Sequence, residues 1–173
     1  ALSKNNDIMK KIILISLAIF LAACSPTQQN PNFDKNVELA KKWFETFTSE
    51  NFEGVSDFMA DNVEWRSCFY GAPLMDKKAS LEYMKGWHDA MENIKYTPDN
   101  YLPGVDPDTG QLNGSVRTYG TWTGKNTASG KDFEVYMYHY FTFNEEGKII
   151  NSGDFGDATG LMLAVAPDET ETE

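Results

Sequence analysis

The chain has 173 residues, 41% of them hydrophobic and 13% aromatic, and carries a net charge of −11 from 15 Lys and Arg against 26 Asp and Glu. This length suits one domain with a substantial core. The acidic balance opposes nucleic-acid binding, no basic patch relieves it, and no group of His, Cys and carboxylates stands at metal-ligand spacing.

Lys10 and Lys11 follow Met9 and precede the apolar run Ile12 to Ala23. About a dozen apolar residues are too few for a bilayer span, which needs about 20, so the run reads as the hydrophobic region of a signal peptide. Leu21-Ala22-Ala23-Cys24 resembles the lipobox of bacterial lipoproteins. That resemblance implies a diacylglycerol on the Cys24 thiol and cleavage before it. Residues 1–23 are therefore expected to be upstream residues and signal peptide, and residues 24–33 a lipidated cysteine and its tether. Residues 34–167 are expected to form the domain, and 168–173 a disordered acidic tail. Ser25 is not the aspartate that resembles an inner-membrane retention signal. The expected location is the cell envelope, anchored by lipid, at the outer membrane facing the periplasm. With Cys24 lipidated, Cys68 is the remaining thiol, and it is expected to pack as a small hydrophobe.

Within the domain, Asp34 to Glu50 places Val37, Ala40, Trp43, Phe44 and Phe47 at helical spacing. Phe52 to Met59 reads as a short second helix and Val63 to Phe69 as a strand. Asp76 is the expected N-cap of a third helix over Lys77 to Asn93, with Leu81, Met84, Trp87 or His88, and Met91 as its buried stripe. Ile94 to Val105 is expected to be extended but interrupted by Pro98 and Pro103. Strands follow at Leu112 to Thr123, Phe133 to Phe143 and Ile149 to Asp157, the last two joined by Asn144-Glu145-Glu146-Gly147-Lys148 with Gly147 in the left-handed position. The order implies an α+β domain in which three N-terminal helices cover the concave face of a curved antiparallel sheet.

The strand Phe133 to Phe143 is the most informative. One parity reads Phe133, Val135, Met137, His139, Phe141, Phe143 and the other Glu134, Tyr136, Tyr138, Tyr140, Thr142. The first is the expected core face, so His139 points toward whatever the helices enclose. The second would be an apolar patch if left to water, which suggests a homodimer through Tyr136, Tyr138 and Tyr140. In a simple hairpin register His139 faces Gly153 and Tyr138 faces Asp154, which puts Asp157 and Asn151 on the histidine face. A bulge, with Gly153 or Gly156 as its natural site, would turn Asp154 inward instead. One of Asp154 and Asp157 is thus the expected partner of His139. Such a pair can transfer protons or merely orient a ligand. Trp65, Tyr119 and Trp122 are candidate cavity residues.

The order of these elements, Gly120-Thr121-Trp122-Thr123-Gly124, the run His139 to Ile149, and Asp154 to Leu161 together resemble the nuclear transport factor 2-like superfamily, in particular its SnoaL-like, polyketide cyclase-like branch. The resemblance implies a cone-shaped fold with a pocket between helices and sheet, often dimeric through the outer sheet face. By position, the histidine and aspartate that act on the ligand in cyclase-like members resemble His139 and Asp154. Three functions are compatible with these residues: a pocket for a small, largely apolar molecule, an isomerase, cyclase or hydratase using the His-Asp pair, and a non-catalytic partner-binding lipoprotein. No cofactor motif is present.

Overall fold

The structure is a computed structural model and describes residues 30–168. The expected signal peptide, lipobox and most of the tether, together with residues 169–173 of the expected tail, lie outside the described residues. Asp168 is described and pairs with Lys131 at 2.7 Å.

Helix α1, Phe33–Thr48, buries Val37, Ala40, Trp43, Phe44 and Phe47, the stripe its spacing predicts, and Phe33 and Asn36 besides. Glu50 (φ +59°) turns the chain in the left-handed region, and the Asn51 side chain then accepts the Gly54 amide to start α2, Phe52–Asp57. Strand β1 is Met59–Arg66, longer at its start than the sequence suggests, and a two-residue strand β2, Leu74–Met75, pairs with it. Helix α3, Lys77–Ala90, is capped by Asp76 as expected. It runs directly into β3, Met91–Val105, so the last helical turn expected at Met91 to Asn93 is strand instead. Strand β4 is Leu112–Asn126, β5 is Asp132–Phe143 and β6 is Ile149–Phe155. A fourth helix, α4, Ala158–Ala164, follows β6, where the sequence predicts no helix.

The six strands form one sheet in the order β2-β1-β6-β5-β4-β3. The sheet is mixed, not purely antiparallel as expected, because β1 runs parallel to β6. This follows from chain direction: α1 and α2 deliver β1 to the far side of the hairpin β5–β6, alongside β6. The helices are also distributed differently from the expected N-terminal trio. Two precede the sheet, α3 lies between β2 and β3, and α4 follows β6.

Pro98 and Pro103 do not end β3. As an edge strand it absorbs both prolines at register shifts, where a missing N–H costs no ladder hydrogen bond. The β5 parity holds, with Phe133, Met137, His139 and Phe141 buried and Tyr136 54% exposed. Gly147 takes φ +79°, and the hairpin closes through the Asn144 amide on the Lys148 carbonyl. Helix α1 lies on β3 and β4, and α3 lies on β1 and β3. The core between helices and sheet therefore has aromatic walls from both.

Candidate functional site

The register of β5 against β6 decides which aspartate meets the histidine. At the hairpin end the simple register holds, with Phe143 opposite Ile149. The pairing then shifts between Thr142 and Phe143, which leaves Ile150 as the extra residue, and beyond it His139 stands opposite Asp154 and Phe141 opposite Ser152. The bulge thus lies three residues before Gly153, not at either glycine. It brings Asp154 to the inner face at 6% exposure beside His139 at 3%.

The two side chains close on each other: His139 Nδ1 and Asp154 Oδ1 are 2.8 Å apart. On the other side of the ring, the Trp122 indole N–H donates to His139 Nε2 at 2.8 Å. An indole nitrogen can only donate, so Nε2 must be the unprotonated nitrogen, and the single imidazole proton sits on Nδ1, where it is donated to Asp154. The second carboxylate oxygen, Asp154 Oδ2, accepts the Trp65 indole N–H and the Tyr83 hydroxyl, each at 3.2 Å. With its proton given to Asp154, the Tyr83 oxygen is left to accept from the Cys68 thiol at 3.2 Å. Five side chains from β1, α3, β4, β5 and β6, and the Cys68 thiol just after β1, form one closed cluster.

Burial pushes the Cys68 thiol up to about 11, with the Tyr83 hydrogen bond opposing and the Asp154 carboxylate adding to the rise. It is therefore a protonated donor, not a nucleophile. Burial likewise pushes the Tyr83 hydroxyl upward, reinforced by the nearby Asp154 and Cys68. A second aromatic layer holds the histidine from behind. Phe44 stacks on Tyr96 with centroids 4.0 Å apart, and both present ring edges to His139 at 5.4 and 5.5 Å. Gly120 permits this layer: a Cβ there would come within 2.6 Å of the Thr97 carbonyl oxygen and 2.7 Å of the Tyr96 ring.

The five side chains of this cluster, without Cys68, line a cavity of about 50 Å³ that is partly open to solvent. Otherwise the wall is aromatic and aliphatic, with Trp43, Phe47, Met84, Trp87, Met137 and Leu161 prominent. The volume is modest, well below the roughly 300 Å³ or more of a pocket that encloses a drug-sized ligand. Among the described residues no group of three or more His, Cys, Asp or Glu side chains is placed to hold a metal ion.

Of the residues singled out from sequence, His139, Asp154, Trp65 and Trp122 converge here. Three others do not. Tyr119 has the opposite parity to Trp122 on β4, pairs with Tyr138, and lies 37% exposed on the outer face. Asn151 stands opposite Thr142, and its amide faces Glu64 at 3.5 Å on that same outer side. Asp157 falls past the end of β6, is exposed, and accepts the Gly160 amide as N-cap of α4. Tyr83 and Trp43 were missed as site residues. Tyr83 shares a helical face with Trp87, four residues on, and that pairing was the available signal.

The sequence profile of the SnoaL-like domain matches residues 40–152. No curated protein matches the chain significantly. Among solved structures, an NTF2-like protein of unknown function from Burkholderia pseudomallei superposes with a TM-score of 0.62 at 14% identity, covering 76% of this chain and 97% of that one. A Catenulispora acidiphila protein with a ketosteroid isomerase-like fold, solved with trimethylamine, gives 0.61 at 14% identity over 80% of this chain and 95% of that one. SalBIII, described as an epoxide hydrolase/cyclase-like enzyme of pyran ring formation in salinomycin, gives 0.60 at 18% identity over 73% and 93%. At these identities the likeness is one of fold.

Proposed function

The chain belongs to the SnoaL-like domain family, and from that premise we propose that it is a lipid-anchored envelope protein whose domain binds a compact, largely apolar molecule at the His139–Asp154 cavity. One observation carries the binding reading: Trp65, Tyr83, Trp122, His139 and Asp154 of the cavity wall form one hydrogen-bonded cluster, while the rest of the wall is aromatic and aliphatic. Such a wall favours an apolar body and fixes its orientation at one end. The small volume restricts the occupant to a compact molecule, or to the tip of a larger one that displaces flexible wall residues such as Met84 and Met137. Thermal denaturation against a panel of compact apolar compounds tests this. At least one should raise the midpoint of the wild type and lose its effect in Leu161→Phe, which adds volume to the wall; a panel without effect rejects the reading.

A second reading, proton transfer beside a carbonyl, is supported by the 2.8 Å His139–Asp154 pair and by fold neighbours described as cyclase-like or ketosteroid isomerase-like. It requires Trp122 to release His139 Nε2 first, since that lone pair is already in use. His139→Ala should then abolish turnover in a folded protein.

Anchoring rests on Leu21-Ala22-Ala23-Cys24 after a short apolar run. Among the described residues no helix is long and apolar enough to cross a membrane. Cys24→Ser should abolish fatty-acid labelling and release the protein from membranes. The same reading includes a homodimer through the outer face, where Tyr119, Tyr136, Tyr138, Tyr140 and Phe155 form a continuous aromatic ladder.

A further inference from the structure

All four tryptophans of the chain, Trp43, Trp65, Trp87 and Trp122, line this one cavity, together with the Tyr83 and Phe133 rings. Set into that wall is a single carboxylate. Asp154 is 6% exposed and accepts at each contact it makes, from His139 Nδ1, the Trp65 indole and the Tyr83 hydroxyl, as an ionised carboxylate does. All three donors are neutral. His139 supplies no positive charge, because the Trp122 indole N–H holds its Nε2 as an acceptor. Among the described residues no Lys or Arg lines the cavity. Hydrogen bonds from neutral groups stabilise the carboxylate but leave its charge uncompensated, and that charge adds to the upward push on Cys68 and Tyr83.

A negative charge in a wall of low polarity attracts a cation more strongly than the same charge in water, because little solvent screens it. Asp154 Oδ1 also accepts a single hydrogen bond, from His139, and so keeps acceptor capacity. The rest of the wall decides which cation fits. Aromatic and aliphatic groups cannot replace the hydration shell of a metal ion or a primary ammonium. A methylated ammonium ion is weakly hydrated, presents methyl groups to an apolar wall, and is the cation that aromatic rings, tryptophan above all, stabilise. Resting on the pocket reading above, we propose that the cavity takes a compact tertiary or quaternary ammonium head, with Asp154 as its counter-charge. The occupant's body is apolar and its charge is positive. Neutral molecules of the same shape bind more weakly, and anions are excluded.

Tetramethylammonium, tert-butanol and pivalate share a core of methyl groups on one centre and differ in charge, so titrating each into the wild type with NMR detection tests this. Tetramethylammonium should bind about tenfold more tightly than tert-butanol, and pivalate should not bind measurably. The Trp65 and Trp122 indole protons should move with the cation, which places it in the cavity and not on the acidic surface. Asp154→Asn removes the charge and keeps the shape, so there the cation and the alcohol should bind within about twofold of each other. Should that variant fail to fold, the order of the three probes on the wild type decides alone. With tert-butanol in the cavity, equal or weaker binding of tetramethylammonium there would overturn the ammonium proposal and leave the pocket reading standing. Pivalate bound in the cavity, or a cation preference that survives in folded Asp154→Asn, would do the same. If none of the three reaches the cavity, both readings fall.

Discussion

Trp122 donates its indole N–H to His139 Nε2 at 2.8 Å, so the imidazole nitrogen that would serve as a base already holds a proton donor. The partner on the far side of the ring, Asp154, therefore receives the Nδ1 proton and not the Nε2 one. The tautomer is set by an aromatic side chain two positions along β4 from Gly120, the residue that makes room for Tyr96.

Replacing Trp122 with Phe removes that donor and keeps most of the ring packing. Imidazole nitrogen NMR should show Nε2 unprotonated and Nδ1 protonated in the wild type, and a mixture of tautomers in Trp122→Phe. The lost hydrogen bond should cost about 1 kcal/mol in urea unfolding. A wild type with the proton on Nε2 would refute the assignment.

The two candidate aspartates should separate cleanly in stability. Asp154→Ala leaves His139, Trp65 and Tyr83 with buried donors and no acceptor, a loss of roughly 3–5 kcal/mol. Asp157→Ala removes a helix N-cap at an exposed position, worth about 1 kcal/mol. Comparable losses in denaturant melts would mean that the bulge at Ile150 is misplaced.

Cys68 should resist alkylation. With the thiol raised from 9.0 to about 11 by burial, its thiolate fraction at pH 8 is roughly a hundredfold below that of an unperturbed cysteine. The sign follows from the charge change: the neutral thiol is favoured in the fold, so reactivity stays low through neutral pH and climbs only as pH approaches 11. Iodoacetamide kinetics on a Cys24→Ser protein report this, and an ordinary rate at pH 8 would contradict it.

Tyr138 sits at the centre of the outer ladder, 5.0 Å from the Tyr119 ring and 5.9 Å from Phe155. If that face pairs two copies, Tyr138→Glu should convert a dimer to a monomer in sedimentation with an unchanged circular dichroism spectrum. A dimer that persists in Tyr138→Glu would remove the outer face as the interface.

The inner face of β5 was legible because its two parities differ so sharply, six core-facing residues against a run of tyrosines. The same parity test, applied to β4, would have removed Tyr119, which lies three residues from Trp122 and so cannot share its face. The partner of His139 was not legible, because it depends on a bulge in Ile149-Ile150. Two adjacent isoleucines suit either face, and nothing local marks the extra residue. Helix α4 was hidden because it is short and carries Gly160 within it, although Leu161 and Val165 at i, i+4 both bury against the core. Tyr83 escaped because its ring flanks the buried stripe of α3 instead of lying in it, and its role depends on a carboxylate 71 residues away.

The pocket reading stands or falls on where a compact ligand goes, and chemical-shift mapping with cyclopentanone locates it most directly. The predicted result is movement of the Trp43, Trp65 and Trp122 indole protons and of the His139 imidazole, with the amides of Tyr136 and Tyr138 unmoved. Shifts confined to the outer tyrosine face, with the indole protons silent at saturating ligand, would contradict it.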